Sequence, residues 1–189
     1  MIMDEMKLLK MSLEDLSPFS ETSAAGQDKN LPAGYSFQMY NRGMERDWIR
    51  IQDEADDYIK VDWKLFQNEF GGHLKELPRR MLFLEHGSTP IGSATAWLDD
   101  INGEEGIGRL HWVAVVPEYQ GRGLSIPMVT RALSLLPSLG CSRAYLMTNA
   151  VRFTAISLYL KLGFKPVIHS PGDQEAWEEI MGIIESLRM

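Results

Sequence analysis

Apolar residues along this chain recur with two periods, and the switches between them mark its elements. Apolar and polar residues alternate from Tyr35 to Tyr40, the period of a half-buried strand. Met44, Trp48, Ile51 and Ala55 repeat at three and four, which predicts a helix over Met44 to Asp57. A second helix is expected from Trp63 to Phe70, ending at Gly71-Gly72. Met81 to Glu85 and Ile91 to Leu98 read as strands joined by a short turn at Gly87-Ser88. Gly103 and Gly106 mark the next turn, and Ile107 to Val116 is the expected central strand.

Helical spacing returns with Ile126, Val129, Leu133 and Leu136. A strand over Arg143 to Thr148 follows, then a helix carrying Ala155, Leu158, Tyr159 and Leu162 on one face. Gly163 stops that helix and Phe164 opens a strand-like run. At the amino end, residues 1–16 mix Met, Leu and charge and suit a short strand or a helix. Ser17 to Asn30 is rich in Ser, Thr, Gly and Asp and reads as a flexible loop. At the other end, Pro171-Gly172-Asp173 introduces a helix with Trp177, Ile180, Met181, Ile184 and Leu187 on one face. Asp173 is the candidate cap and Glu175 suits the first turn.

Composition narrows the class. A chain of 189 residues suggests one domain with a sizeable core, and 44% apolar with 24% charged residues is ordinary for a globular protein. The net charge of −7 argues against a nucleic-acid partner. Cys141 is the single cysteine, which excludes an internal disulfide and fits a reducing compartment. No apolar run approaches about 18 residues, so no membrane span is expected. No signal peptide is read at the N-terminus, and the cytoplasm is the default location.

The chemistry concentrates where the central strand ends. Val113 to Ser125 reads VAVVPEYQGRGLS: strand, Pro117, a glycine-rich turn at Gln120-Gly121-Arg122-Gly123-Leu124-Ser125, and a helix start. Unpaired N–H groups at a helix N-terminus, with roughly half a positive charge from its dipole, make an anion site. Gly121 and Gly123 let the backbone approach a phosphate, and Arg122 offers a charge-assisted hydrogen bond. Neither a P-loop nor a full dinucleotide fingerprint is present.

The turn does resemble Q/R-x-x-G-x-G/A, the acyl-CoA pyrophosphate loop of the GNAT superfamily of N-acetyltransferases, through Gln120, Gly123 and Ser125. Residues 152–164, RFTAISLYLKLGF, are similar to the A-x-x-L-Y-x-K-x-G-F signature that follows that loop in the family. The resemblance covers about residues 35–168. It implies an α/β (α+β) fold, a central mixed and mostly antiparallel sheet flanked by helices, here with an extra C-terminal helix. Residues 1–34 are then an N-terminal extension and 35–189 a single acetyltransferase-like domain.

By the same resemblance, acetyl-CoA is the expected co-substrate. It would lie where two central strands splay, its pantetheine against the backbone at Val113 and Val115 and its pyrophosphate on residues 120–125. The implied reaction is direct transfer of an acetyl group to a primary amine, with no metal. A non-catalytic acyl-CoA-binding or sensor domain is the alternative.

Tyr159 occupies the slot from which the family often protonates the leaving thiolate; on composition alone it is a half-buried aromatic. His111 lies on the strand feeding the loop, in the slot of the catalytic glutamate of the histone-acetyltransferase branch. It suits either a base near neutrality or a hydrogen-bonded sheet residue. The family's CoA-contacting asparagine slot holds Arg152. The nearest asparagine, Asn149, suits a CoA contact or a helix cap. Asp53, Glu54, Asp56 and Asp57 form either a negative rim drawing a cationic amine or a solvated acidic face. Trp63, Phe66 and Phe70 read as core or pocket wall, and Cys141 as structural. His73, His86 and His169 lack metal-site spacing.

Overall fold

The computed structural model describes residues 7–19, 31–98 and 105–187. Seven strands form one sheet: β1 (Leu8–Leu13), β2 (Tyr35–Met39), β3 (Met81–His86), β4 (Thr89–Trp97), β5 (Ile107–Val115), β6 (Arg143–Asn149) and β7 (Lys165–Pro166). Their spatial order is β2-β3-β4-β5-β6-β1-β7. Only β5 and β6 run parallel, as the helical crossover between them requires; every other pairing is antiparallel. The expected mixed, mostly antiparallel sheet is the one observed.

Among the described residues six α-helices flank it: α1 (Glu45–Ala55), α2 (Trp63–Phe70), α3 (Leu77–Arg80), α4 (Ser125–Leu133), α5 (Phe153–Lys161) and α6 (Pro171–Ser186). Among the described residues none is long and apolar enough to cross a membrane. The Gly103 turn and most of the Ser17–Asn30 loop lie outside the described residues.

The two ends of the chain add detail to their sequence reading. Leu9, Met11 and Leu13 alternate as buried residues, and β1 pairs with β6 on one side and β7 on the other. Of the two forms its sequence allowed, the first segment takes the strand, and it is built into the sheet. At the tail, α6 forms as expected, but Ser170 is its cap. Its hydroxyl accepts from the Asp173 N–H, while the Asp173 carboxylate takes the N–H groups of His169 and Ser170. Asp173 thus completes a capping box from the third position. Trp177, Ile180 and Ile184 bury the inner face of α6.

An aromatic cluster clamps α1 and α2 onto β5. Trp48 is fully buried and meets Phe66, Phe70 and Trp112 edge-on at centroid distances of 5.3, 5.3 and 5.2 Å. Trp63 stacks on Phe66 but stays half exposed, so the Trp63 stripe is mostly core with one outer member. The Ser170 cap makes a direct stability test: Ser170→Ala should destabilise the protein by about 1 kcal/mol, read from urea unfolding.

Candidate active site

Opposite Ala94 of β4, the central strand carries two residues where one belongs. Ser93 pairs with Ala114 and Thr95 with His111, which leaves Trp112 and Val113 facing Ala94 alone. This β-bulge puts Trp112 at a φ of 48°, the only positive φ outside glycine among the described residues. A tryptophan there costs on the order of 1–3 kcal/mol and persists only where its surroundings hold it. They do so at three points. Gln52 of α1 donates to the Trp112 carbonyl and to the Ser93 hydroxyl, both at 3.0 Å. The Trp112 indole N–H donates to Glu69 Oε2 of α2 at 2.9 Å, and the ring packs on Trp48.

The bulge accompanies a split in the sheet. The β5–β6 ladder runs only from Ile107 to Arg109, after which the two strands part. Two adjoining cavities occupy the gap, of about 200 and 290 Å³. Gln52, Asp56, Val113, Arg152, Ala155 and Tyr159 line both.

The larger cavity opens toward the glycine-rich turn, and Val113, Val115, Gln120, Gly121 and Ser125 lie on its wall with Tyr159. Gly121 and Gly123 adopt φ values of 73° and 76°, which ordinary side chains avoid, and a Cβ at either would project into open space. No side chain caps α4, and Pro127 in its first turn has no N–H to leave unpaired. Gln120 braces the turn by donating to the Val115 carbonyl at 2.8 Å.

Three loop residues sit apart from this wall. Arg122 donates to the Glu118 carbonyl at 2.9 Å and lies over the Tyr119 ring at 4.7 Å, within the turn itself. Leu124 is buried in the core, and Gly123 shapes the backbone without lining the cavity.

The smaller cavity reaches toward the point where the strands part and is walled by His111, Arg109, Asn149 and Leu8 among others. His111 Nε2 lies 2.8 Å from Glu69 Oε2. The hydrogen bond from His111, joined by that from Trp112, holds the Glu69 carboxyl below its ordinary value against the opposing effect of burial. An ionised carboxylate only accepts, so Nε2 carries the proton in this pair. Asn149 ends β6, and its carbonyl, not its side chain, takes the Arg152 N–H in the turn before α5.

Tyr159 is buried at the waist between the cavities. Burial pushes its phenol up to about 12, with the Arg152 charge pulling the other way, so it is a neutral hydroxyl across the physiological range.

Three members of the acidic cluster have partners within the fold. Asp53 accepts from the Val61 N–H and Glu54 pairs with Arg50. Asp56 accepts from the Tyr58 and Ile59 N–H groups and from Arg152 Nη2 at 2.6 Å. Asp53, Glu54 and Asp57 stay exposed as a solvated acidic face, while Asp56 is drawn into the cavity wall. Cys141 is buried, and no three His, Cys, Asp or Glu side chains converge as a metal-holding group among the described residues.

The sequence of residues 38–164 matches the family model for the acetyltransferase (GNAT) family. The chain belongs to that family. A mycothiol acetyltransferase of Corynebacterium aurimucosum is 26% identical over 175 residues, 84% of this chain and 56% of the relative. One from Pseudarthrobacter chlorophenolicus is 26% identical over 140 residues, covering 71% and 43%. The chain thus spans about half the length of these curated relatives.

Among solved structures, a GCN5-related N-acetyltransferase from Sphaerobacter thermophilus superposes with a TM-score of 0.66 at 17% identity, over 85% of this chain and 48% of that one. The ribosomal-protein-S18-alanine N-acetyltransferase of Escherichia coli gives 0.58 at 20% identity, over 71% and 79%. These likenesses concern the fold.

Two measurements probe the supports of the bulge. Gln52→Leu leaves the Trp112 carbonyl and the Ser93 hydroxyl without their partner and should cost about 1–3 kcal/mol in urea unfolding. Glu69 has a folded pKa below its unfolded one. Its contribution is therefore complete above the ordinary value of 4.5 and is lost as pH falls through the lower folded value. Glu69→Gln should flatten the acid limb of the stability–pH curve in that window; an unchanged slope would assign the limb to other carboxylates.

Proposed function

We propose that this protein transfers the acetyl group of acetyl-CoA directly to a primary amine. The observation that carries the reading is the placement of Tyr159 at the waist between two cavities. One opens to a glycine-rich turn and an uncapped helix N-terminus, the other to the point where β5 and β6 part. In this reading the CoA pyrophosphate rests on the backbone of the Gln120 to Ser125 turn, where unpaired N–H groups and the α4 dipole favour an anion. The pantetheine follows the β5 edge past Val115 and Val113 into the gap. The acceptor enters from the smaller cavity.

Each group then has a chemical task. His111, braced by Glu69, takes a proton from the ammonium through water, and the amine attacks the thioester carbonyl. The backbone N–H at Val113, set by the bulge, stabilises the oxyanion of the tetrahedral intermediate. Tyr159, a neutral phenol, gives its proton to the departing sulfur. Holding both reactants in one gap supplies much of the acceleration without a covalent enzyme intermediate. The curated relatives, named mycothiol acetyltransferases, support acetyl transfer as the chemistry.

Steady-state assays with acetyl-CoA and a panel of primary amines test the reading. Tyr159→Phe keeps the ring and removes only the hydroxyl. It should lower kcat by about 10²–10⁴ with acetyl-CoA affinity retained in calorimetry. Gly123→Glu puts a carboxylate and a strained backbone at the turn and should abolish acetyl-CoA binding in a folded protein. Acetyl-CoA binding without turnover on any amine would point instead to an acyl-CoA-binding domain.

A further inference from the structure

Asp56 and Arg152 lie 96 positions apart in sequence, on opposite walls of the gap, and are joined by a 2.6 Å hydrogen-bonded ion pair. Asp56 follows α1, and its side chain is 6% exposed. It is fixed by the N–H groups of Tyr58 at 2.9 Å and Ile59 at 3.3 Å, so the carboxylate is an anchored acceptor. Arg152 stands at the start of α5, seven residues before Tyr159, which is two turns along one face. Arg152 and Tyr159 line both cavities together. The other charged or titratable groups on the smaller cavity are Arg109 and His111 of β5, with Glu69 behind His111.

We propose that Asp56 holds Arg152 as a fixed cation beside Tyr159, and that this charge eases proton donation from the Tyr159 hydroxyl to the leaving sulfur. The inference rests on the acid role given to Tyr159 above. When the tetrahedral intermediate collapses, the C–S bond breaks and its electron pair goes to sulfur. The Tyr159 O–H bond breaks, its proton moves to that sulfur, and free CoA thiol and a phenolate result. The attacking nitrogen sheds its second proton to water, and water returns one to the phenolate. A buried phenol resists becoming an anion, and a nearby guanidinium opposes that resistance. The pull of Arg152 on Tyr159 has the required sign. Arg152 and Asp56 are positioning residues; Tyr159 is the group that meets the substrate.

Two readouts decide the matter, and one needs no substrate. With 3,5-difluorotyrosine replacing Tyr159, ¹⁹F NMR follows titration of that ring in the ligand-free, folded protein. Arg152→Met should raise its apparent pKa by about one unit, while Arg152→Lys, which keeps the charge, should move it far less. In turnover, Arg152→Met should lower kcat roughly threefold to tenfold with acetyl-CoA affinity little changed, and Arg152→Lys should recover most of the rate. Asp56→Asn, which unfastens the arm but leaves the cation, should give a smaller loss of the same kind.

An unshifted fluorotyrosine, a parent kcat in Arg152→Met, or a loss confined to acetyl-CoA affinity would each overturn the proposal. The last would make Arg152 a ligand contact. A slow Tyr159→Phe beside a full-rate Arg152→Met overturns this inference alone. A full-rate Tyr159→Phe removes the acid role on which it stands.

Discussion

The bulge at Trp112-Val113 is the constraint on which the rest of the site depends. A regular β5 would keep its backbone in step with β4 throughout. One extra residue shifts Trp112 and Val113 out of register, and beyond Arg109 β5 no longer pairs with β6. The gap, its two cavities and the exposure of the β5 edge all lie along this irregular stretch. Its strain is local, but its support comes from two helices. Gln52 of α1 and Glu69 of α2 hold the two ends of the same tryptophan, carbonyl and indole. The aromatic packing of Trp48, Phe66 and Phe70 keeps those helices in place.

Electrostatics in the gap is a matter of pairing, not of net charge. The chain carries −7 overall, yet the acidic residues nearest the site are engaged by N–H groups or by arginine. Glu69 serves His111 and Trp112 through one oxygen, Oε2, so the proposed base and the strained bulge have a common support. Loss of that carboxylate would act on both, and an effect on rate would need separating from an effect on fold.

Much of this was legible in the sequence, and the exceptions have physical causes. Every strand and α-helix described from Tyr35 to Lys161 was foreshadowed by the apolar pattern except the four-residue α3, and the glycine-rich turn by composition, because these are local properties. Residues 8–13 also alternate, but so short a run becomes a strand only because β6 offers it an edge. The pairings that build the site were not visible. Glu69 with His111 and Asp56 with Arg152 span 42 and 96 positions, and no local pattern specifies them. One signal was available: Gln52 stands four residues after Trp48 on the buried stripe of α1, and a polar residue there needs an internal partner. The positive φ of Trp112 had no such signal, since glycine is the residue that normally announces it.

Gln52, Asp56, Val113, Arg152, Ala155 and Tyr159 belong to both cavities, and in the proposed reaction they surround the place where the two substrates would touch. Direct transfer needs reacting atoms within about 3–3.5 Å of each other, which flexible walls hold poorly. Here the polar members of that waist are tied down. Gln52 is fixed by Ser93 and Trp112, and Asp56 by two backbone N–H groups. Arg152 is fixed by Asp56, and Tyr159 by its burial in α5 packing. The waist draws on α1, its following loop, β5 and α5, so no single element sets its width. A change that moved any one wall would alter the reacting distance while leaving both cavities in place.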